Sequence, residues 1–455
     1  MKNFILLSFV FLITYNVCSQ KYTPYYFSNV EIINDLQFLK EKCTSIHPKF
    51  LDENFSKSWN NTCDSILNTL PDSISITDSF VLMAKLLSGI EDTHTGFNFP
   101  IEERQKYMFN GGLCMPFTIL VKNNKLFFNQ YFSKDPNIQL SDVEIVSINA
   151  IDSQKILSDL RSIVGVKNRE CGDHAVERFF NMGFWILYGE SEKYLIQTVS
   201  SDSILTAKAL TNEQYFSLKN QYPNPQQNQY KLAFSANRKV AYLSIKSFLG
   251  DDNFYTFLSN SFDSIKQKEC CTLILDVKNN PGGRSCAVDS LLNYLTNKPY
   301  GQYASIGIRV SDEIKTLYKT KNQHLYSIIN QLNEDVIYSF NDSALLHIPN
   351  PKKSLFEGDV FVTINERTNS AAATFAGVVK EKKLGKIVGH KPTGEHLKYY
   401  GDYLSFKLPH TKFEFFVSPK EFIQYGGTNF NAGVEPDRYH LSKKYHSLNF
   451  SYPSK

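Results

Sequence analysis

Apolar residues recur at helical and then at strand spacing along the chain, in an order that predicts both helices and sheets. Residues 20–105 carry apolar positions three and four apart, as between Phe80 and Leu87, which is the period of an amphipathic helix. From Gly112 to Phe132 the pattern becomes two strand-like runs separated by Asn123-Asn124, a hairpin signal. We therefore predict a mainly helical region at 20–105 and a β-rich region at 106–222.

Later segments predict a second, α/β region. Polar residues and prolines at 220–229 indicate a linker, and strand and helix signals alternate over residues 230–455. Within this region, residues 312–351 have only weak periodicity, so they form either a lid or a surface excursion.

One strand–turn–helix unit carries candidate chemistry. The β-branched run Val360–Ile364 stops at a polar turn, and the small-residue helix that follows starts at Ser370. The unpaired N–H groups at a helix start stabilise an oxyanion, so this position suits a nucleophile. The alternative is that Ser370 is an ordinary N-cap, since serine is favoured there.

A second unit of the same kind lies earlier in the chain. A buried strand ends at Asp276, a turn containing Gly282-Gly283 follows, and a helix with apolar residues on one face continues from it. Paired glycines permit positive φ and an exposed amide, as a second oxyanion donor requires. We expect Asp276 and Asn365 to end neighbouring strands, so that both turns face one cleft. A turn without a ligand is the alternative, and a phosphate loop is a weaker rival because neither common phosphate-loop motif is present.

His94 lies in a specified turn, between Thr93 and Thr95, where an apolar helix ends. A lone histidine is usually a surface or capping residue, so this segment alone does not decide its role.

Together these segments resemble the S41 family of serine peptidases, which includes the C-terminal processing (tail-specific) proteases and the tricorn core. Five motifs carry the resemblance, in the family's order: I-x-D-x-H-T at Ile90–Thr95, D-x-[RK]-x-N-x-G-G ending at Gly283, T-x-S-A-A at Thr368–Ala372, G-x-x-x-T-G at Gly389–Gly394, and G-V-x-P-D at Gly433–Asp437. The resemblance implies an α+β multidomain fold with an N-terminal helical domain, a PDZ-like β-domain and an α/β S41 (ClpP/crotonase-like) catalytic core. The PDZ-like module would include Val143–Leu160, for which plain sheet packing is the alternative.

The resemblance also implies roles for individual residues. Ser370 would be the nucleophile, and the amides of Gly283 and Ala371 would form the oxyanion hole. In the tricorn-like branch the base is a histidine of the D-x-H turn, which matches His94. An imidazole suits this role because it ionises near neutrality.

The chain departs from the family at the other catalytic positions. The Ser-Lys branch has a lysine near the position of Glu395, while Lys391 and Lys398 are out of register. The tricorn-like branch also uses a glutamate near the C-terminus, for which Glu421 and Glu435 are the nearest candidates. The third catalytic group is therefore open, and so is the question of full activity.

Composition excludes several other classes of protein. The chain has 455 residues, of which 42% are hydrophobic and 21% charged, and this is typical of a globular protein with two or three domains. The net charge of +4 and the lack of a basic cluster within a nucleic-acid motif argue against nucleic-acid binding. Seven cysteines follow residue 20 without a C-x-x-C pair, so we predict no zinc or redox site. Buried free thiols are the simpler interpretation, with a Cys43–Cys63 bridge as the alternative.

The first residues predict export. Lys2 precedes an apolar run from Phe4 to Thr14 and small residues before a cut near residue 19, which is typical of a signal peptide at 1–19. The run is too short to span a membrane. Anchoring as a lipoprotein through Cys18 is the weaker alternative, because Tyr15-Asn16-Val17 is a poor lead-in to such a site.

The resulting hypothesis is an exported, periplasmic or secreted serine peptidase that needs no cofactor or metal. Its substrate would be an unfolded or flexible polypeptide, cleaved through Ser370 with His94 as base. The alternatives are a catalytically silent S41-fold protein that binds peptides and a non-peptidase hydrolase. The sequence does not indicate the physiological substrate, the cleavage preference or the oligomeric state.

Overall fold

The chain folds into a mixed α/β architecture, which confirms the class predicted from the sequence. The computed structural model describes residues 22–133, 140–165, 172–221, 229–237, 239–341, 346–350, 354–441 and 450–451. These residues contain twelve α-helices and twenty-one short strands in five sheets. The predicted signal peptide with Cys18, most of the 220–229 linker and Cys171 lie outside them.

Four helices and three short strands form the N-terminal part. They are β1 (Tyr26–Ser28), α1 (Asn29–Ile46), α2 (Glu53–Thr69), β2 (Ser73–Ser75), α3 (Ile76–Ser88), β3 (Gly96–Phe97) and α4 (Ile101–Phe109). Polar side chains start three of these helices: Ser28, Asp52 and Ser75 each accept a hydrogen bond from an N–H of the first turn. His94 lies in the turn between α3 and β3.

A six-stranded antiparallel sheet with three helices follows. Its elements are β4 (Phe117–Lys122), β5 (Lys125–Tyr131), β6 (Glu144–Ile148), β7 (Ile151–Asp152), α5 (Ser153–Ile163), α6 (Asp173–Tyr188), β8 (Lys193–Thr198), β9 (Ser201–Lys208) and α7 (Asn212–Lys219). The order is β4-β5-β6-β8-β9, with β7 paired to β6, so β4 is an edge strand. The predicted hairpin at Asn123-Asn124 is confirmed, since both residues have positive φ between the paired strands β4 and β5.

The second half of the chain is built on another six-stranded sheet. Its elements are β10 (Tyr230–Ser235), β11 (Val240–Ile245), α8 (Asp252–Gln267), β12 (Thr272–Asp276), α9 (Ser285–Leu292), β15 (Asp359–Thr363), α12 (Ala371–Glu381), β16 (Lys386–Val388) and β21 (Phe450–Ser451). The order is β16-β15-β12-β11-β10-β21, in which β11, β12, β15 and β16 run parallel. Asp276 is paired with Thr363 at the carboxyl ends of β12 and β15. The two predicted strand–turn–helix units are therefore neighbours, as expected.

Two smaller sheets complete this half. Their elements are β13 (Tyr303–Arg309), α10 (Asp312–Lys321), α11 (Gln323–Ile329), β14 (Ile337–Asn341), β17 (Lys398–Gly401), β18 (Leu404–Lys407), β19 (Glu414–Val417) and β20 (Lys420–Gln424). One sheet has the order β14-β13-β20-β17, and the other joins β18 and β19 to β3 from the N-terminal part. The weakly periodic insertion thus forms two helices and the edge strand β14.

The largest hydrophobic core crosses the boundaries between these parts. It contains side chains of α1–α3, of the β4–β9 sheet with α5 and α6, and also Phe413, Phe415 and Val417 from the second half. A separate core lies between the six-stranded sheet that contains β10, β11, β12, β15 and β16 and the helices α8, α9 and α12. The pairing of β3 with β19 therefore brings the turn of His94 against the second half of the chain.

The cysteine interpretation needs a correction. Cys43 and Cys63 are both buried free thiols, so the alternative of a bridge between them is wrong. Cys271 and Cys286, however, are exposed: Cys271 lies in the turn before β12, and Cys286 lies on the outer side of α9. None of the helices in the described ranges is long and apolar enough for a membrane crossing.

Candidate active site

Ser370 lies on a sharp turn between β15 and α12. Its φ of 46° and ψ of −128° lie outside the usual backbone regions, and its side chain makes no capping hydrogen bond. Ser370 therefore occupies the N-cap position of α12 without the side-chain hydrogen bond that an ordinary N-cap makes. A half-exposed serine at positive φ between a strand and a helix is instead the geometry of a nucleophile elbow, in which the turn presents the hydroxyl. Backbone strain of this kind persists only where the surroundings fix it, and it clusters at functional sites.

The Gly282-Gly283 turn lies against Ser370. A Cβ on Gly282 would come within 2.7 Å of the Ser370 Cβ and 2.9 Å of the Ala371 nitrogen. A Cβ on Gly283 would lie only 2.1 Å from the carbonyl oxygen of Phe248. Only glycine fits either position, and the close approach brings the backbone of both turns together.

Two backbone amides point to this junction without an acceptor in the described chain. The N–H of Phe248 binds the Gly282 oxygen at 2.8 Å and the N–H of Arg284 binds the Phe248 oxygen at 2.8 Å, which leaves the Gly283 N–H between them unused. The N–H of Ala371 is the first of α12 and has no intrahelical partner. A carbonyl oxygen next to Ser370 is within reach of this kind of donor pair, which is the requirement for an oxyanion hole.

Paired asparagines tie the two turns to each other. The Asn279 N–H donates to Asn365 Oδ1 at 3.0 Å, and Asn365 Nδ2 donates to Asn279 Oδ1 at 2.8 Å. The Asn369 N–H donates to the Asn280 oxygen at 2.9 Å, and Asn280 Oδ1 accepts the Gly282 N–H at 2.8 Å. These bonds fix the relative position of the two amides, as a preorganised site requires.

His94 is held by its own turn. Its Nδ1 lies 3.1 Å from Thr93 Oγ1, and its backbone N–H donates to Asp92 Oδ1 at 3.0 Å. Its imidazole is 22% exposed, and the ring centroid is 5.6 Å from that of Tyr399. The Thr93 hydroxyl is thus placed to orient the imidazole.

The buried carboxylate of Asp92 is the centre of the His94 turn. It accepts hydrogen bonds from His47 Nε2 at 3.2 Å, Thr95 Oγ1 at 2.7 Å and Ser418 Oγ at 2.8 Å. Burial by itself raises the pKa of Asp92, but the hydrogen bond from His47, the nearby His94 and the bond from Thr95 outweigh it and lower the pKa below its ordinary value. Asp92 is therefore a fixed anion beside the histidine.

All four residues predicted for the site line one cavity of about 300 Å³. Its lining consists of His94, Gly283, Ser285, Tyr303, Ser370, Ala371, Tyr399, Gly401, Asp402, Tyr403 and Phe422. Among the described residues, His94 and Ser370 face this cavity without a direct hydrogen bond between them. Catalytic hydrogen bonds are often long before substrate binds, so this separation does not exclude a base–nucleophile pair.

The aromatic wall of the cavity was not predicted from the sequence. Tyr399 and Phe422 pair across β17 and β20 with their rings stacked at 5.1 Å, and Tyr399 donates to the hydroxyl of Tyr303 at 3.2 Å. Burial, followed by the nearby Tyr303, raises the pKa of Tyr399 well above its ordinary value, so this phenol stays neutral. The short strand β17 contains two adjacent tyrosines, Tyr399 and Tyr400, and so has no period from which an aromatic wall could have been predicted.

The other candidate groups do not line the cavity. Lys398 pairs with Glu421 at 2.8 Å, and Lys391 lies 3.8 Å from Glu366. Glu435 accepts a hydrogen bond from Lys380 through its backbone oxygen. The described residues contain no group of three or more His, Cys, Asp or Glu side chains that could hold a metal ion.

A larger cavity of about 410 Å³ lies elsewhere, on the face of β6, β8 and β9. It is lined by Ser147, Asn149, Ala150, Ser191, Lys193, Leu195, Gln197 and Ile204. Without a histidine or a carboxylate in this lining, it lacks the acid–base groups that the smaller cavity has.

Comparisons with known proteins agree with the fold. Residues 239–439 match the model of peptidase family S41. Mature CPAF is similar over 90% of this chain and 92% of its own, with a TM-score of 0.62 and 15% identity. CPAF complexed with lactacystin is similar over 90% and 94%, with a TM-score of 0.63 and 15% identity. The photosystem II D1 C-terminal processing protease has a TM-score of 0.49, 15% identity and coverage of 90% and 94%. No curated protein matches the chain by sequence.

Proposed function

We propose that this protein is a serine peptidase with Ser370 as nucleophile and His94 as general base, a proposal supported by the match of residues 239–439 to the model of peptidase family S41. The observation that carries the proposal is the elbow of Ser370 beside the unused N–H groups of Gly283 and Ala371, in the cavity that His94 also lines. His94 is the only histidine in that lining, and Ser370 is the only serine in it that lies at positive φ.

The first half of the reaction forms an acyl-enzyme. His94 takes the proton of the Ser370 hydroxyl as the oxygen attacks the carbonyl carbon of the scissile peptide bond. The negative charge moves to the carbonyl oxygen, where the N–H groups of Gly283 and Ala371 stabilise it. The C–N bond then breaks, and His94 returns its proton to the departing amine.

The second half repeats these steps with water. His94 takes a proton from the water, the hydroxide attacks the ester carbon, and the same two amides stabilise the second oxyanion. The Ser370 oxygen leaves with the proton from His94, which restores the enzyme. Asp92 stabilises the transient imidazolium by its charge, and Thr93 fixes the orientation of the ring.

The substrate that suits this site is an extended polypeptide. The scissile carbonyl has to enter a cavity of about 300 Å³, which is too small for a folded segment, so the peptide on either side must be free of folded structure. We further propose that the β4–β9 sheet with α6 is the PDZ-like module, which in general binds an extended peptide at a sheet edge.

Export remains part of the proposal. It is supported by the basic and apolar N-terminal segment, whose residues 1–19 are outside the described chain. Mass determination of the mature N-terminus tests it: a start near residue 20 in the exported fraction supports export, and a protein that keeps Met1 and stays in the cytoplasm contradicts it.

Labelling with a fluorophosphonate tests the nucleophile. The wild type should be labelled at Ser370, and Ser370→Ala should lose labelling and several orders of magnitude in peptidase rate. Ser285→Ala is the matched control, since Ser285 lines the same cavity at the start of α9, and it should still be labelled. Because Ser370 caps nothing, its removal should change the free energy of unfolding by less than about 0.5 kcal/mol.

Failure would take distinct forms. A wild type that is never labelled and cleaves no peptide would favour the silent peptide-binding protein. A labelled wild type that hydrolyses esters but no peptide would favour the non-peptidase hydrolase.

The pH–rate profile tests the base. An imidazole base gives a rising limb near pH 6 to 7, whereas a lysine must be neutral and gives a limb at higher pH. His94→Ala should be nearly as inactive as Ser370→Ala, while Lys391→Met and Lys398→Met should keep the wild-type limb. An active His94→Ala variant together with an inactive lysine variant would overturn the assignment.

A further inference from the structure

A buried ion pair joins the nucleophile turn to the β-rich part of the chain. Arg367, three residues before Ser370, donates from Nη1 to Glu177 Oε2 at 3.0 Å and from Nη2 to Glu177 Oε1 at 2.8 Å. The two side chains are only 15% and 11% exposed. A bidentate ion pair of this kind fixes the relative orientation of the two side chains as well as their distance, whereas a single hydrogen bond fixes the distance alone.

The pair is also anchored on the backbone of Val121. Glu177 Oε1 accepts the Val121 N–H at 2.6 Å, and Arg367 Nη2 donates to the Val121 carbonyl oxygen. Val121 belongs to the edge strand β4, so these two groups point away from its only sheet neighbour, β5. The edge of the sheet, α6 and the nucleophile turn are thus closed into one ring of hydrogen bonds.

The ring of hydrogen bonds holds the turn before Ser370, whose backbone is strained at a φ of 46°. Within the turn, the Arg367 N–H donates to Asn365 Oδ1 at 3.2 Å, and Thr368 Oγ1 donates to the Val277 oxygen at 3.0 Å. These local bonds tie the turn to the Gly-Gly loop, but both loops belong to the same half of the chain. The Arg367–Glu177 contact fixes the turn from outside, and the positive φ of Ser370 needs such a fixed frame.

Other charged groups face this pair. His174 Nδ1 lies 3.8 Å from Glu177 Oε2, and one turn earlier on α6 Asp173 forms an ion pair at 2.7 Å with Arg161 of α5. Arg161 and Asp173 are equally buried, at 11% and 7% exposure, but neither makes a hydrogen bond to the nucleophile turn among the described residues. This second pair provides a natural comparison.

We infer that Arg367 and Glu177 are positioning residues, which hold the Ser370 elbow in its reactive geometry from the β4–α6 unit. The inference rests on the proposed function. The rate of the reaction would then depend on a contact between two residues that are 190 positions apart in the chain and that do not line the cavity.

Three variants test the pair. Arg367→Lys keeps the positive charge but cannot form the bidentate hydrogen bonds to Glu177. Glu177→Gln keeps the shape of the side chain but removes its negative charge. Each should lower kcat and the rate of fluorophosphonate labelling at Ser370 by on the order of 10- to 100-fold, since a displacement of about 1 Å at a reacting group costs up to about 100-fold. KM should stay within about twofold, because neither residue lines the cavity. The double exchange Arg367→Glu with Glu177→Arg can again satisfy both groups of Val121, so it should recover most of the loss.

Arg161→Lys is the matched control, measured at a temperature where every variant is folded. It should leave kcat and the labelling rate unchanged, although it weakens an equally buried pair. Wild-type kcat and labelling in Arg367→Lys and Glu177→Gln, or an equal loss in Arg161→Lys, would overturn the positioning role.

Amide hydrogen exchange over residues 366–373 separates this inference from the proposed function. Exchange should be faster in Arg367→Lys than in the wild type and unchanged in Arg161→Lys. If the wild type is neither labelled nor active, the proposed function fails, and the exchange still decides whether the pair holds the turn. If exchange is equal in all three proteins, the positioning inference is wrong whatever the activity.

Discussion

At the scale of single residues, the site depends on two glycines that have no room for a side chain. Gly283 has a φ of 143°, and the atom that a Cβ would meet is a backbone oxygen, which cannot swing aside as a long side chain can. The same oxygen, that of Phe248, accepts the Arg284 N–H at 2.8 Å. Any shift that makes room for a methyl group therefore moves the amide proposed as an oxyanion donor.

Gly283→Ala should consequently lose both stability and reactivity. We expect the labelling rate at Ser370 to fall by about 100-fold or more, in the range seen when an oxyanion donor is removed. The control is Gly189→Ala, where φ is also positive at 81° but no atom lies within 4 Å of the added Cβ. That variant should cost only the backbone strain of about 1–3 kcal/mol and keep its labelling rate, measured by urea unfolding and probe kinetics. Equal labelling in both variants would contradict the donor role of Gly283.

At the scale of elements, local signals predicted the two strand–turn–helix units and the turn of His94. Each unit is encoded within about twenty residues by a β-branched run, glycines or a lone serine, and a helical period. The partners of these units were not predictable in the same way. Asp92 is bonded to Ser418, 326 residues away, and Arg367 to Glu177, 190 residues away, and no periodicity relates such positions.

The Asp92 contact yields a prediction for the element that carries His94. Asp92→Asn replaces an acceptor for four donors by a group with one oxygen, so it should destabilise the fold by about 3 kcal/mol. It should also lower kcat, because the turn of His94 loses hydrogen bonds that Asp92 accepts from its backbone N–H and from Thr95. Asp35→Asn is the matched control: Asp35 is a buried carboxylate that accepts the N–H groups of His410 and Thr411, away from the cavity.

The two variants should differ in activity and agree in stability. Both should shift urea unfolding to lower denaturant concentration, but only Asp92→Asn should lower kcat per folded molecule. A similar kcat in both would mean that Asp92 supports the fold and not the orientation of His94.

At the scale of the whole molecule, the candidate site is assembled from parts that share one core. The matched family segment, 239–439, contains Ser370 and Gly283 but not His94, which reaches the cavity through the pairing of β3 with β19. Phe415 on β19 packs against Phe97 on β3 and Phe38 on α1, with ring centroids 5.7 and 6.2 Å apart. The N-terminal part is therefore a structural component of the site.

A buried histidine, His47, and a partly buried one, His174, link this assembly to pH. His47 donates to Asp92 through Nε2, since its Nδ1 accepts the Lys49 N–H at 3.1 Å, and its backbone oxygen accepts Arg309 Nη1 of the second half at 2.8 Å. Burial lowers the pKa of His47, although the bond to Asp92 opposes this shift. Burial, followed by the charge of Arg367, lowers the pKa of His174. Both histidines are therefore held neutral where the two halves of the chain meet.

The protein should consequently become less stable on mild acidification. Below the ordinary histidine pKa of 6.5 the unfolded chain binds protons that the folded chain does not, so the free energy of unfolding falls as pH drops from 7 towards 5. Each histidine contributes a slope of at most about 1.4 kcal/mol per pH unit. Asp92 does not contribute to the pH dependence between pH 7 and 5. Because its pKa is lowered in the folded protein, the stability that it provides is lost only below about pH 3.8.

Urea unfolding of His47→Gln across pH 5 to 7 measures this slope. The variant should be less stable than the wild type at pH 7, yet its stability should depend less steeply on pH, because one of the two imidazoles with a lowered pKa is gone. His324→Gln serves as the control, since this side chain is exposed on α11 and should leave the slope unchanged. A slope in His47→Gln as steep as that of the wild type would show that the titration arises elsewhere, and that burial of His47 does not couple the assembly of the two halves to pH.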